Sequence, residues 1–379
     1  MEYRKMENLG ISTSLLGFGC MRFPTNADGS IDEEKALAMI DKAYRSGVTY
    51  YDTAYPYHDG KSEVVTGKAL ARYPRDSYFL ATKLPVWAVK TIADVERIFQ
   101  EQLERLQKDY VDFYLMHALN GERWRFVKEL DILGYCEKLR SDGKIKYLGF
   151  SFHDDYEAFE EIITSYKWDF CQIQLNYMDQ DTQATIKGVE LAGRLGIPIV
   201  VMEPVKGGSL AKLPSEGIEE LLKNLRPEAS ASSWALRYVG SFDNVKVVLS
   251  GMTTMEQVED NLSTFDRFEP LGDAEQEALR QVADKLRSRV QNGCTGCRYC
   301  MPCPAGVDIP GCFSIWNQYH IYENVNDVKW NWGKGMEEEK KASNCIQCGK
   351  CEQVCPQHIS VRENLARLQK ELDDIIADR

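Results

Sequence analysis

Eight of the chain's twelve cysteines stand in two short runs near its C-terminal end. The first reads Cys294-Thr-Gly-Cys297-Arg-Tyr-Cys300-Met-Pro-Cys303-Pro304, the second Cys345-Ile-Gln-Cys348-Gly-Lys-Cys351-Glu-Gln-Val-Cys355-Pro356. Three thiolates at Cys-x-x-Cys spacing, closed by a Cys-Pro, form the ligand pattern of [4Fe–4S] cubanes. Tight turns set successive thiolates around one cubane, and the closing proline turns the chain away and removes an amide hydrogen. Structural zinc is the alternative, but it takes four ligands, usually from two separated pairs, whereas here a group of three plus Cys-Pro occurs twice. The first run has one residue fewer before its last cysteine, which makes Cys303 a less regular ligand than Cys355. The chemistry expected of these eight residues is one-electron transfer through two [4Fe–4S] clusters.

A second constellation lies far upstream. Short apolar runs end in Tyr51-Asp52-Thr-Ala-Tyr55-Pro-Tyr57-His58, in Ala81-Thr82-Lys83 and in Leu115-Met116-His117. A phenol with its usual pKa of about 10 is a poor acid at neutral pH. A neighbouring ammonium lowers that value, and an aspartate holds the ammonium charged and in place. A histidine orients a carbonyl oxygen and shares the proton work. Tyr57 could then protonate a carbonyl as hydride reaches its carbon. Taken singly, Asp52 is a turn cap, Tyr57 rim packing, Lys83 a surface charge and His117 a satisfied buried ring. The four together at consecutive strand ends point to catalysis.

The elements that must position these residues follow from periodicity. Strand-like runs cover Leu15–Met21, Val48–Asp52, Tyr78–Lys83, Val111–His117, Lys146–Ser151, Phe170–Leu175, Ile197–Glu203 and Val245–Gly251. Helix-period segments lie between them, such as Val95, Ile98, Phe99, Leu103 and Leu106 behind a Thr91-x-x-Asp94 capping pair. Buried strands alternating with helices give a parallel sheet, and eight such units give a TIM (β/α)8 barrel, with chemistry at the C-terminal ends of the strands. A doubly wound sheet is disfavoured because Gly17-Phe-Gly19-Cys-Met-Arg22 lacks the third glycine of a dinucleotide fingerprint. The polar run Asn8–Ser14 reads as a hairpin capping the barrel bottom. The domains expected are a barrel over 1–268, a linker helix over 269–290 and a small, mainly α-helical ferredoxin-like domain over 291–379. Aromatic residues between the cysteine runs (Phe313, Trp316, Tyr319, Tyr322, Trp330, Trp332) suit shielding of clusters from water. Met336–Lys341 reads as a solvated charge run. Cys20, Cys136, Cys171 and Cys312 read as small buried hydrophobes.

These stretches resemble the aldo/keto reductase family over roughly residues 1–265. The likeness rests on Gly17-Phe-Gly19-Cys-Met-Arg22, on Asp52-Thr-Ala-x-x-Tyr57-His-Asp-Gly60-Lys-Ser-Glu63, and on Lys83 and His117 in that order. It implies a tetrad of Asp52, Tyr57, Lys83 and His117 with Tyr57 as the acid, and a nicotinamide cofactor across the barrel mouth. Gly19 and Met21 would touch that cofactor. Ser151, His153 and Gln172 would hold its carboxamide, although Phe152 replaces the usual amide side chain. Met202 stands, before Pro204, where a stacking aromatic is common. Gly251, Thr253, Thr254, Gln257 and Asn261 resemble the adenosine-binding turn. No basic residue lies in that stretch to meet a 2′-phosphate, which favours NADH over NADPH. The architecture also resembles a subgroup of the family with C-terminal ferredoxin-like clusters. By analogy with two-cluster ferredoxins the fourth cysteine of each run crosses over. Cys294, Cys297, Cys300 and Cys355 would then hold one cubane, and Cys345, Cys348, Cys351 and Cys303 the other.

Composition narrows the remaining classes. The 379 residues carry 46 basic and 58 acidic side chains, a net charge of −12. That balance argues against nucleic-acid binding. No apolar run spans a bilayer, and the N-terminal residues lack a signal core. With many free thiols this implies a reducing cytoplasm. The expected partners are a small carbonyl or alcohol substrate and a redox protein. The preferred function is an NAD(P)-dependent carbonyl reductase or alcohol dehydrogenase with an appended electron-transfer module. The alternative is an iron–sulfur electron carrier whose barrel is a docking scaffold.

Overall fold

The computed structural model describes residues 1–214 and 217–377. The chain opens with an antiparallel pair, β1 (Tyr3–Met6) and β2 (Ile11–Ser14). The expected hairpin is therefore present, but it starts earlier, and Asn8–Gly10 belong to its turn. Eight parallel strands follow: β3 (Leu16–Gly19), β4 (Tyr50–Asp52), β5 (Phe79–Leu84), β6 (Val111–Leu119), β7 (Ile145–Phe152), β8 (Phe170–Gln174), β9 (Ile199–Met202) and β10 (Val245–Gly251). They hydrogen-bond in sequence order and close, β10 against β3, into a barrel. Each of the eight runs read from the sequence is one of these strands.

Side chains alternate between barrel interior and helix layer with a period of two. The interior is filled by Tyr50, Ala81, Phe113, Leu115, Phe170, Val200, Val247 and Leu249, and Met6, Leu9 and Ile11 of the hairpin pack on that cluster. Two interior positions are glycine because neighbours occupy the space. A Cβ on Gly17 would lie 2.5 Å from Val247 Cγ1, and one on Gly149 would lie 2.5 Å from the Phe170 ring. The outward parity packs on helices. Helix Ile92–Leu106 turns Val95, Ile98, Phe99, Leu103 and Leu106 inward, and truncating such a buried Phe or Leu to Ala costs about 2–5 kcal/mol. One step up the interior parity, beyond Tyr50, Ala81, Leu115 and Phe170, stand Asp52, Lys83, His117 and Gln172.

The chain divides into two compact units. One comprises Met1–Ala211 with Ala229–Asp273, the other Lys212–Glu228 with Ala274–Arg379. The grouping of Lys212–Glu228 with the C-terminal residues leaves no mark in the sequence. Helix Asp273–Arg287 lies where a linker helix was expected. The C-terminal unit is helical, with Ile309–Tyr322, Val325–Trp330 and Val361–Ala377. They pack around Cys312, Phe313, Trp316, Trp332, Leu365, Leu368 and Leu372. Both buried indoles find acceptors, as buried indoles must. Trp316 Nε1 donates to Glu371 Oε2 and Trp332 Nε1 to Asp373 Oδ1, each at 2.9 Å. These tryptophans are core residues, and Cys294, Cys300, Cys303, Cys345 and Cys351 pack against that same core, whereas Trp330 is exposed. The Met336–Lys341 run is not wholly solvated either, since Lys341 is buried over the Trp332 ring and ion-paired with Glu338.

Candidate active site and cluster sites

Strand β5 ends with Lys83 buried, 1% exposed, where the interior parity meets the barrel mouth. A lone ammonium there would be costly, so its donors must be spent. Lys83 Nζ donates to Asp52 Oδ1 at 2.5 Å, to Thr53 O at 2.8 Å and to the Tyr57 hydroxyl at 3.3 Å. The second Asp52 oxygen accepts from Gln172 Nε2 at 3.1 Å. The His117 ring stands edge-on to Tyr57, centroids 5.9 Å apart. Buried His117 Nδ1 has no hydrogen-bond partner among the described residues. The sequence-predicted tetrad thus converges, with Gln172 bound to its aspartate.

The segment that carries Tyr57 is conformationally unusual. His58 and Asp59 both lie in the left-handed region at φ 49° and 53°, followed by Gly60 at 83°. Non-glycine residues pay about 1 kcal/mol or more each there. Three such residues reverse the chain between β4 and helix Lys61–Leu70, and they leave Tyr57 above the end of β5.

A second network, buried except for Arg105, lies on the outer side of β5. Glu63 Oε1 accepts from Thr82 Oγ1 at 2.6 Å and from Gln102 Nε2 at 3.1 Å, and Oε2 accepts from Arg105 at 3.2 Å. Gln102 Nε2 also donates to Lys83 O at 2.9 Å, and Gln102 Oε1 accepts from Tyr114. This network fixes the Lys83 backbone from behind. Glu63 belonged to the sequence signature, but its contact with Gln102 was not visible there.

Electrostatics assign protonation states. Burial raises the Tyr57 pKa, and Lys83, although it lowers it, does not reverse the shift. The softening of the phenol below its ordinary value, expected from the sequence, is therefore corrected: Tyr57 is protonated at neutral pH. Burial pulls Lys83 down, but Asp52 and Tyr57 more than offset it, so its pKa is raised and the ammonium persists. Burial first, then the charges of Lys83, His153 and Arg123, hold His117 well below its usual value. Its imidazole is neutral.

The expected cofactor residues are dispersed around the same end of the barrel. Gly19 and Gly251 pair across β3 and β10. Met21 is exposed. Ser151 Oγ accepts from Ala118 N at 2.7 Å, which leaves its own proton to donate. Phe152 faces outward, its ring 5.2 Å from Phe159, so it is not aimed at the mouth. His153 is exposed beyond β7, Met202 is partly exposed at the end of β9, and Pro204 is buried. Thr254 caps helix Met255–Asp266. Thr253 N donates to Gln257 Oε1 at 2.7 Å, and Asn261 Nδ2 to Ser250 Oγ at 2.8 Å. Arg22 joins this turn from the far end of the chain, a contact with no local signal. Thr253 Oγ1 donates to Arg22 O at 2.9 Å, and a Cβ on Gly251 would lie 2.7 Å from Arg22 Cγ.

In the C-terminal unit Cys294, Cys297, Cys300 and Cys355 line one cavity. Cys303, Cys345, Cys348 and Cys351 line a second, with Cys300 on its wall. Among the described residues no three His, Cys, Asp or Glu side chains are placed to hold a single metal ion. Cys312 lines neither cavity; its thiol meets Lys340 O and Met336 Sδ, and burial pushes its pKa up to about 12.

Residues 15–284 match the aldo/keto reductase family. The chain belongs to that family. Residues 293–359 match the 4Fe-4S dicluster domain, so this reductase carries a dicluster iron–sulfur module at its C-terminal side. The chain is similar to L-galactose dehydrogenase of Arabidopsis thaliana, 26% identical over 303 residues, which cover 74% of this chain and 93% of the relative. It is also similar to the NADH-specific methylglyoxal reductase of Escherichia coli, 25% identical, with 74% and 96% covered. Among solved structures, an aldo-keto reductase from Bacillus halodurans in its holo form superposes with a TM-score of 0.61 at 26% identity, covering 74% of this chain and 96% of its own. The aldo/keto reductase barrel and the family's oxidoreductase chemistry, expected from the sequence, are thereby established for this chain.

Proposed function

We propose that the barrel interconverts a small carbonyl compound and its alcohol by hydride exchange with NADH or NADPH, with Tyr57 as the proton donor in the reducing direction. The observation that carries this reading is the hydrogen-bonded chain from Asp52 through Lys83 to the Tyr57 hydroxyl. Gly19, Met21, Ser151, His153, Gln172, Met202, Pro204, Gly251, Thr253, Thr254, Gln257 and Asn261 are the residues that would hold the dinucleotide. Their donor chemistry fits it: a free Ser151 proton suits a carboxamide, and the capped N-terminus of helix Met255–Asp266 suits a phosphate. When bound, the nicotinamide supplies or accepts the hydride.

The rest of the work falls to the chain's own groups. Burial keeps the proton on Tyr57 until a carbonyl oxygen develops negative charge. Lys83, pinned by Asp52 and by Thr53 O, stabilises the phenolate left behind. Neutral His117 offers an N–H to the same oxygen without competing for the proton. Arg22, beside Gly251, supplies the cation that residues 250–262 lack, so the sequence argument for NADH over NADPH loses its basis. Tyr57→Phe in the holoenzyme tests the reading. We expect the single-turnover rate with an aldehyde to fall about 10²–10⁴-fold, the range of a general acid, with dinucleotide affinity little changed. An undiminished rate overturns the mechanism.

For the dicluster module the proposed ligand sets are Cys294, Cys297, Cys300 and Cys355 for one cubane, and Cys303, Cys345, Cys348 and Cys351 for the other. The lining of the two cavities supports this crossed pairing. Such a module exchanges single electrons, with a redox protein of the cytoplasm as its partner. Anaerobic iron and sulfide analysis of the purified chain, with electron paramagnetic resonance after reduction, checks cluster number and redox activity.

A further inference from the structure

Strand β6 is irregular just past His117. Its pairing with β7 shifts register between Met116 and Leu119, and Ala118 has φ 52°. Bulges of this kind re-aim groups next to active sites. Here the shift sends the Ala118 N–H to Ser151 and its carbonyl to Arg123 Nη1, at 2.6 Å. Arg123 sits in the first turn of helix Gly121–Glu129, which Asn120 caps. Its guanidinium lies over the Trp87 ring, 5.0 Å from the centroid, and that ring lies 5.0 Å from the His117 ring. Trp87 is 49% exposed. A cation, an open aromatic face and the neutral imidazole therefore form one row at the barrel mouth.

Arg123 has neither a carboxylate nor a full set of carbonyls, unlike partly buried Arg4, which spends its guanidinium on the carbonyls of Gly240, Phe242 and Val245. Arg75, Arg105 and Arg140 each face a carboxylate, of Asp112, Glu63 and Asp169. Arg123 makes no ion pair among the described residues. Asp154, on the neighbouring loop, accepts from the Gly121 N–H at 2.9 Å instead. A guanidinium has five N–H donors in a fork that matches a carboxylate, and a carbonyl occupies one of them here. In a chain with 58 acidic side chains, a cation left without one beside the reacting groups is a place for an anion from outside.

We propose that Arg123 binds a carboxylate of the substrate, so that this reductase works on small carbonyl compounds bearing an acid group, with the Trp87 face against the carbon chain between the two ends. The proposal rests on Tyr57 and His117 receiving the carbonyl oxygen. It names a substrate class for that site and makes Arg123 and Trp87 its specificity residues.

The test compares two aldehydes of equal carbon number, succinic semialdehyde and butanal, in the holoenzyme with NADH and with NADPH. Wild type is expected to prefer succinic semialdehyde at least about tenfold in kcat/KM, the worth of a charge-assisted bidentate contact. In Arg123→Gln that preference falls to about one through KM, while kcat/KM for butanal, which reports an intact site, stays within about twofold. Arg123→Lys keeps the charge without the fork and lies between. Equal kcat/KM for the two aldehydes in wild type, or a preference retained in Arg123→Gln, overturns the proposal. If wild type turns over neither aldehyde, the reading of Tyr57 fails by itself. Calorimetry with succinate then decides about Arg123: weaker binding by Arg123→Gln than by wild type supports it, and equal binding overturns it.

Discussion

Lys83→Met is the perturbation that bears most directly on the site. It keeps a stem of similar volume and removes the ammonium faced by the Tyr57 hydroxyl at 3.3 Å. At that separation and an effective dielectric of about 20, two unit charges interact by about 5 kcal/mol. Partial exposure of the phenol screens some of this, which leaves about 3–4 kcal/mol of phenolate stabilisation. Because the charge on Tyr57 exists only as the proton leaves, the loss falls on the barrier and not on ground-state binding. At 1.36 kcal/mol per decade, kcat for aldehyde reduction should drop about 10²–10³-fold, with KM and dinucleotide affinity nearly unchanged.

The same change leaves the Asp52 carboxylate buried, with Gln172 as a remaining donor, and breaking a buried pair costs about 3–5 kcal/mol of stability. The double variant Asp52→Asn/Lys83→Met should recover much of that stability and none of the rate. The assay is anaerobic single-turnover stopped flow at pH 7, with far-ultraviolet circular dichroism as the control on folding. A folded Lys83→Met enzyme within about threefold of the wild-type rate would refute the assignment of Lys83 as the group that stabilises the phenolate.

Other consequences follow from the same geometry. Since burial raises the Tyr57 pKa, the acid form persists below that value and is lost above it. The pH profile of kcat for carbonyl reduction should be level through neutral pH and fall only beyond the ordinary phenol value of about 10. A neutral His117 adds no limb near pH 6.5, and one there that disappears in His117→Asn would contradict this. Gln102→Leu strips donors from Glu63 and Lys83 O and a partner from Tyr114. Buried groups left unpaired cost about 1–3 kcal/mol each, so the urea midpoint of the barrel, followed by near-ultraviolet circular dichroism, should fall clearly. Crossed ligation predicts that Cys297→Ala/Cys355→Ala keeps about four irons per chain, whereas Cys348→Ala/Cys355→Ala loses both clusters. Uncrossed ligation predicts the reverse, and anaerobic iron analysis separates the two.

What was legible in the sequence and what was not divide along a physical line. Alternation with period two is local, so one strand's sequence tells which residues share a face. Tyr50 and Asp52, Ala81 and Lys83, and Leu115 and His117 each form a pair two apart, with the apolar member set deeper. Position at a strand's C-terminal end is what made Asp52, Lys83 and His117 legible, and a slip of one residue in any of those strands would turn its polar member onto the helix layer. Contacts made across the closed barrel carry no such local signature. Gln172 reaches Asp52 over a separation of 120 residues, and Thr253 reaches Arg22 over 231. Both depend on the ring closing, β10 onto β3, with each strand in register. The Tyr57 pKa escaped for a related reason: the nearby charge is evident from residue types, but burial is a property of the assembled mouth and is the larger effect. Arg123 shows the same logic from the other side. In the sequence it is one charge among 46 basic residues; only the bulge at Ala118 turns it toward Trp87 and His117 and leaves its fork without an acid. Asp52, Lys83 and His117 at this barrel's mouth are therefore written strand by strand, while its selectivity is written in loops, where register shifts decide which charges meet.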